Sequence, residues 1–242
     1  MDPSAVRGWL AEFARLIDAQ ATELTELDAA IGDADHGTNT RRGTSAVVEA
    51  LAALGPETAV GPLLKTTAMT LISKVGGASG PLYGTFFLRM STAVGDVSAL
   101  DGPAFASAFR TGVEGLAARG KAVLGDKTMY DALASACDAI DASVAAGSDL
   151  STALESAVAA AEEGRDAITP LVARKGRASY LGERSAHHQD PGATSAVLLV
   201  RAAATALAPS SGSSDSSDPP DTHPQPDFAV DASTAKSDET GD

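Results

Sequence analysis

A chain of 242 residues with 44% hydrophobic content can bury one large core or two small ones, although aromatics make up only 4% of it. A formal net charge of -14 and a pI of about 4.6 make a nucleic-acid backbone an unsuitable partner. Cys137 is the single cysteine, which excludes disulfide frameworks and cysteine-based zinc sites and suits a reducing, cytoplasmic setting.

The first predicted element is a helix over residues 4–30. Val6, Trp9, Leu10, Phe13, Leu16 and Ile17 recur at spacings of three and four, and Gly32 is its expected left-handed stop. This stretch is amphipathic and begins acidic, unlike a signal peptide, and no apolar run in the chain reaches the ~20 residues of a membrane span. A second helix is expected from His36 to about Leu54, a third over 58–74, and a fourth from Ser79 to Val94 with Pro81 in its first turn. A fifth lies between Gly102 and Gly120, a sixth in "DKTMYDALASACDAIDASVAAG", and a seventh after Ser148, its N-cap candidate. "DPGATSAVLLVRAAATALA" supplies the eighth. No segment alternates apolar and polar residues long enough to predict a strand.

Eight helices on short loops predict an all-α fold, a bundle or closed barrel of antiparallel helices, over residues 1–208. Residues 209–242 turn to Ser, Pro, Asp and Gly, with eight acids against one Lys, and are expected to be disordered.

In an antiparallel bundle alternate loops fall at the same end. The chemically unusual segments (28–39, 76–84, 120–130 and 176–192) all belong to odd-numbered loops, so they are expected to converge on one rim.

"LDAAIGDADHGTN" crowds Asp28, Asp33 and Asp35 together. Carboxylate oxygens suit hard divalent cations such as Mg²⁺, and a bound cation would relieve their repulsion. An EF-hand is excluded, because Thr38 takes its required glycine position and Thr44 its final glutamate. The competing reading makes Asp33 and Asp35 turn or capping residues. "KVGGASGPLYGT" exposes backbone N–H groups at a helix start, an anion site to which Ser79 adds a hydroxyl donor, or else a tight turn between helices. "RGKAVLGDKTMYDAL" offers a flat apolar slot beside Met129, or simply a helix capped by Asp126. In the last loop Arg177 and Arg184 are cations for a phosphate, and Asp190-Pro191-Gly192 open a helix, while adjacent His187 and His188 rarely face one point. Together these describe a Mg²⁺–nucleotide pocket, and no Ser/His/Asp or Cys/His arrangement is apparent.

Four ordered motifs, "LTELDAAIGDADHGTNTRRG", "GGASGPLYGT", "GDKTMYDAL" and "YLGERSAHHQDPGATS", resemble the nucleotide-binding L subunit of dihydroxyacetone kinase, over about residues 4–208. The resemblance implies a barrel of eight antiparallel helices with the nucleotide at one rim. It implies that Asp28, Asp33 and Asp35 ligate two Mg²⁺, and that His36, Gly37, Thr38 and Asn39 line the phosphate site. Ala78 and Ser79 would add the glycine-loop contact, Gly120 and Met129 would lie by the adenine, and Arg177, Asp190, Pro191 and Gly192 would close the pocket.

The implied function is to hold ADP or ATP as a coenzyme, recharged by an M-type phosphohistidine subunit and discharged to dihydroxyacetone on a K-type subunit. The chain would then need no catalytic nucleophile of its own. A homodimer is compatible with it; neither nucleic acid nor membrane is expected as a partner. Two other roles stay open: a nucleotide subunit of an ATP-dependent ketose or polyol kinase, and a nucleotide-sensing regulator.

Overall fold

The computed structural model describes residues 1–207; the acidic segment expected from 209 onward lies outside the described residues. Eight α-helices and no strand occur among them: α1 Pro3–Ile31, α2 His36–Ala52, α3 Val60–Lys74, α4 Ser79–Val94, α5 Gly102–Gly120, α6 Met129–Ala145, α7 Leu150–Ala167 and α8 Pro191–Leu207. A 3₁₀ segment, Arg177–Ser185, lies in the last loop, where no element was expected. Each helix contacts the next in sequence, and α8 returns to α1, so the ring closes. The indole N–H of Trp9 fastens that closure by donating to the Leu199 carbonyl on α8 at 3.0 Å.

The core has two textures. Trp9, Phe13, Tyr83, Phe86, Phe87, Phe105 and Phe109 are buried where α1, α4 and α5 meet, with paired ring centroids 5.0–6.0 Å apart. Among α6, α7 and α8 the buried residues are largely alanines, including Ala132, Ala136, Ala153, Ala157, Ala161, Ala196 and Ala203. Small side chains let helix axes approach closely, while the aromatics fill the wider half.

The caps also divide the molecule into two ends. Asp2, Asp101 and Asp149 cap α1, α5 and α7, each side chain accepting a backbone N–H at 2.8 Å. The N-cap of α7 is therefore Asp149 and not Ser148, because Asp149 is the residue whose carboxylate reaches an N–H of the first turn. At the opposite end start α2, α4, α6 and α8, and there the N-cap residues of α2 and α4, Asp35 and Ala78, make no side-chain cap.

Two glycines serve purposes other than those expected. Gly32 ends α1 with φ -141, so no left-handed stop exists there. A Cβ on Gly32 would instead overlap the Asp28 carboxylate. Gly37 faces the Ala21 carbonyl and Thr25 on α1, where a Cβ would overlap backbone. Gly37→Ala is expected to force α1 and α2 apart and to cost about 1–3 kcal/mol of stability, read by denaturant unfolding.

Candidate nucleotide and metal site

All four odd-numbered loops line one cleft with a cavity volume of about 340 Å³, within the range of small-molecule sites. The helices that begin at those loops point their N-termini at it. Each N-terminus carries roughly half a positive charge and offers local N–H groups to an anion, between the C-terminal ends of α1, α3, α5 and α7.

Asp28, Asp33 and Asp35 come together, each offering an oxygen within 4.8 Å of the others. Asp28, near the end of α1, is buried, and its Oδ2 accepts the backbone N–H groups of Asp35 at 2.8 Å and His36 at 3.1 Å. That contact fixes the loop and supplies the start of α2 with an acceptor. Asp35 occupies the N-cap position of α2 but makes no capping bond, so its carboxylate is free for other work. The capping alternative therefore fails for Asp35, because its side chain accepts no N–H from the first turn of α2. Ala34, between the two outer aspartates, has φ 59, a left-handed conformation costing a non-glycine residue about 1 kcal/mol. The bare Cα of Gly32 leaves room for the Asp28 carboxylate. Convergent carboxylates, a cleared space and a strained turn fit a hard divalent cation.

His36 lies buried behind this cluster. Its Nε2 is 2.9 Å from the Ser195 hydroxyl and its Nδ1 is 3.2 Å from the Ser79 hydroxyl. Ser195 in turn meets the Tyr83 hydroxyl at 2.7 Å and donates to the Gly192 carbonyl at 3.0 Å. Burial holds the imidazole below its usual pKa, against the opposing pull of Asp28 and Asp35. Both ring nitrogens are occupied by protein hydroxyls, so His36 links α2, α4 and α8 and does not present a free donor.

Asn39, Ala78 and Ser79 line the cleft at the start of α4, with Gly76 and Gly77 beside them. Gly76 sits against the Asn39 amide, and Gly77 adopts φ 64. Arg42 ties these loops together, donating to Asn39 Oδ1 at 2.7 Å and to the Lys74 carbonyl at 2.9 Å. Gly37 and Thr38 do not line the cleft: Gly37 faces α1, and Thr38 is exposed beyond it. On a helix, neighbouring side chains point about 100° apart, so four consecutive side chains cannot all face one cavity.

Gly120 and Met129 do line it, together with Leu82 and Leu116, giving an apolar end. The cap of α6 is Thr128 in a reciprocal box with Asp131, not Asp126. Asp126 is buried and accepts the Val123 N–H at 3.0 Å. Arg177, Asp190, Pro191 and Gly192 close the far side, with Arg177 2.8 Å from Asp33; Arg184 is not among the lining residues.

Sequence reasoning missed Lys127. Its side chain is 1% exposed, and its Nζ donates to the carbonyls of Thr169, Leu171 and Ser185 at 2.8–2.9 Å. One ammonium thereby joins the fifth loop to both ends of the seventh. Burial lowers its pKa, opposed by Asp190. The "GDKT" turn in which it lies reads in sequence as the edge of an apolar slot or as a helix start, and neither reading uses the lysine.

Desolvation pushes the Asp190 carboxyl up to about 7, even though it accepts the Ala193 N–H at 2.7 Å and lies near Lys127. A carboxyl raised in the fold is protonated there while the unfolded chain is ionised, so stability falls as pH rises from about 3.8 to about 7. Asp190→Asn keeps an oxygen for the cap and removes that penalty. Its gain in Tm over the unsubstituted chain is expected to grow between pH 5 and pH 8, as thermal melts at both would read.

Among the described residues, no helix is long and apolar enough to cross a membrane. The family model described as the DAK2 domain matches residues 30–205. The chain is 45% identical over 198 residues to the "PEP-dependent dihydroxyacetone kinase, ADP-binding subunit DhaL" of Escherichia coli K12, across 82% of this chain and 94% of that one. It is 36% identical over 179 residues to human "Triokinase/FMN cyclase", across 74% of this chain and 31% of that one. The solved dihydroxyacetone kinase of C. freundii superposes with a TM-score of 0.67 at 24% identity, over 85% of this chain and 35% of that one. A second structure of that kinase, in complex with AMP-PNP and Mg²⁺, gives 0.66 at 23% identity. The fold is thus shared with that kinase, and the chain belongs to the DAK2-domain family.

Proposed function

We propose that this chain is the ADP-binding subunit of a phosphoenolpyruvate-dependent dihydroxyacetone kinase, holding Mg–ADP/ATP as a coenzyme between an M-type phosphohistidine donor and a K-type subunit that carries dihydroxyacetone. The observation that carries the reading is the convergence of three carboxylates and the uncapped N-terminus of α4 on one cleft with an apolar end. Support also comes from relatives named as ADP-binding subunits, which the chain covers almost end to end. In this reading residues 1–208 are the nucleotide domain, the acidic segment 209–242 is assigned no part in the chemistry, and the work is done in the cytoplasm.

Asp28, Asp33 and Asp35 would hold the metal, two Mg²⁺ by the family's pattern, which when bound neutralises phosphate charge. The protein's own part is positioning. Backbone N–H groups at the start of α4 face the phosphates, with Asn39 and Ser79 beside them. Met129, Gly120 and Leu116 hold the base. No side chain here becomes covalently phosphorylated, since the phosphoryl group passes between ligands held by different subunits. Val123, Leu124, Leu171 and Tyr180, all in the fifth and seventh loops, are exposed large apolar side chains, 40–87% accessible, and suit contact with a partner subunit. That arrangement uses the nucleotide rim for partners and leaves the outer barrel wall as the surface for any homodimer.

The test mixes the purified chain with a K-type subunit, with and without an M-type subunit, and assays dihydroxyacetone phosphate. Turnover that requires the M-type subunit and phosphoenolpyruvate, with ADP retained through gel filtration, is the expected result. Turnover with free ATP alone, and freely exchanging ADP, would establish the ATP-dependent alternative. That alternative draws on the matches to triokinase and to "D-erythrulose kinase" of Mycolicibacterium smegmatis, which the chain covers to only 31% and 33% of their length. Nucleotide binding without turnover in any combination would favour a regulatory, nucleotide-sensing subunit.

A further inference from the structure

Three carboxylates share a space 4.8 Å across, and one cation pairs with them among the described residues: Arg177, whose Nη2 lies 2.8 Å from Asp33 Oδ2. The other basic residues of the cleft are placed differently. Lys127 has committed its ammonium to three carbonyls, and Arg119 and Lys175 form no ion pair among the described residues. We infer that Arg177 is an exchangeable counter-ion: it holds Asp33 while no metal is bound, and is released toward the nucleotide phosphates when a divalent cation takes that carboxylate. The inference rests on the metal reading of the three aspartates.

Three features make exchange the expected behaviour of this pair. The first is its weakness. The two side chains are 64% and 35% exposed, and such a pair biases an equilibrium by no more than about fivefold, so a dication facing three carboxylates displaces it. The second is where the movement occurs. Ala178, next in sequence, is buried with Ile31 and Ala173, and Ser185 is fixed by its bonds to Ala173 and Lys127. The backbone is therefore held, and only the long Arg177 side chain has to turn. The third is where it can go. A guanidinium beside a bound dication is repelled by it, whereas its planar fork matches phosphate oxygens. Asp33 and Arg177 would thus trade partners in one step, so that each makes the other available to the Mg–nucleotide.

The test is the Mn²⁺ affinity of the full chain and of Arg177→Ala, read by electron paramagnetic resonance of free Mn²⁺, without and with ADP. Without nucleotide the variant is expected to bind Mn²⁺ about threefold tighter, because the competing cation is gone. With ADP the order reverses, and the variant binds about tenfold more weakly, having lost a charge-assisted contact to phosphate. A change of the same direction in both states, equal affinities, or no nucleotide-free binding by either chain overturns the exchange. Failure of the unsubstituted chain to bind Mn²⁺ even with ADP overturns the metal reading itself, a different result from the other three.

Discussion

Asp33→Ala is expected to abolish retention of ADP while leaving the helical content unchanged. Asp33 is the carboxylate with least to do in the fold. It lies on the exposed turn between α1 and α2, and its ion pair with Arg177 is mostly in water, so its loss costs under about 1 kcal/mol of stability. As one of three convergent carboxylates it matters far more to a cation. Loss of even an indirect metal partner costs 10–100-fold, so loss of a ligand is expected to weaken binding by more than about 100-fold. Gel filtration followed by nucleotide analysis reads retention, and far-ultraviolet circular dichroism reads the helices. ADP co-eluting at the unsubstituted level would end the metal assignment. Asp28→Ala is a poorer test, because Asp28 also accepts the N–H groups of Asp35 and His36 and its loss would disturb the loop.

Lys127→Met is expected to be the most destabilising single change at this rim. The lysine ammonium satisfies three carbonyls from Thr169, Leu171 and Ser185, and methionine fills the space without a donor. Leaving a buried acceptor unsatisfied costs about 1–3 kcal/mol, so a loss of at least about 3 kcal/mol is expected. For a domain of this size that lowers Tm by roughly 10 °C, measurable by differential scanning calorimetry. Asp190 would lose its nearby positive charge, and its carboxyl would titrate at a higher pH still. A fall in Tm of under about 2 °C would show that the ammonium is not what joins the two loops.

The helices were legible because their signals are local. Spacings of three and four, prolines in first turns and glycines between elements specify eight helices without reference to partners, and the boundaries agree to within about two residues for α2, α3 and α4. The 3₁₀ segment Arg177–Ser185 was not legible, since it has too few apolar residues to show a period. The shared rim was legible too, because antiparallel neighbours place alternate loops at the same end, and the cleft is lined by all four of those loops.

Other features depended on residues far apart in sequence. A lysine is read by default as exposed, and nothing within "GDKT" announces that carbonyls 42, 44 and 58 residues away will surround it. His36 lines the cleft, where the resemblance places it, but its hydrogen bonds were not legible: Ser195, 159 residues on, occupies one nitrogen and Ser79 the other. Gly37 and Thr38, which the resemblance places at the phosphate, do not line the cleft: Gly37 faces α1 and Thr38 is exposed.

The sequence by itself determined which elements form, at which end the chemistry gathers, and that clustered carboxylates and small-residue loops suit a metal and a phosphate. Those properties follow from periodicity, loop parity and side-chain type. Tertiary structure alone decided how each group is used. Asp28 takes the N–H groups of Asp35 and His36 and so fixes the loop, Asp35 makes no capping bond, and Arg177 pairs with Asp33. A side chain's role is set by which donors and acceptors reach it first, and in a closed ring of helices those come from every part of the chain.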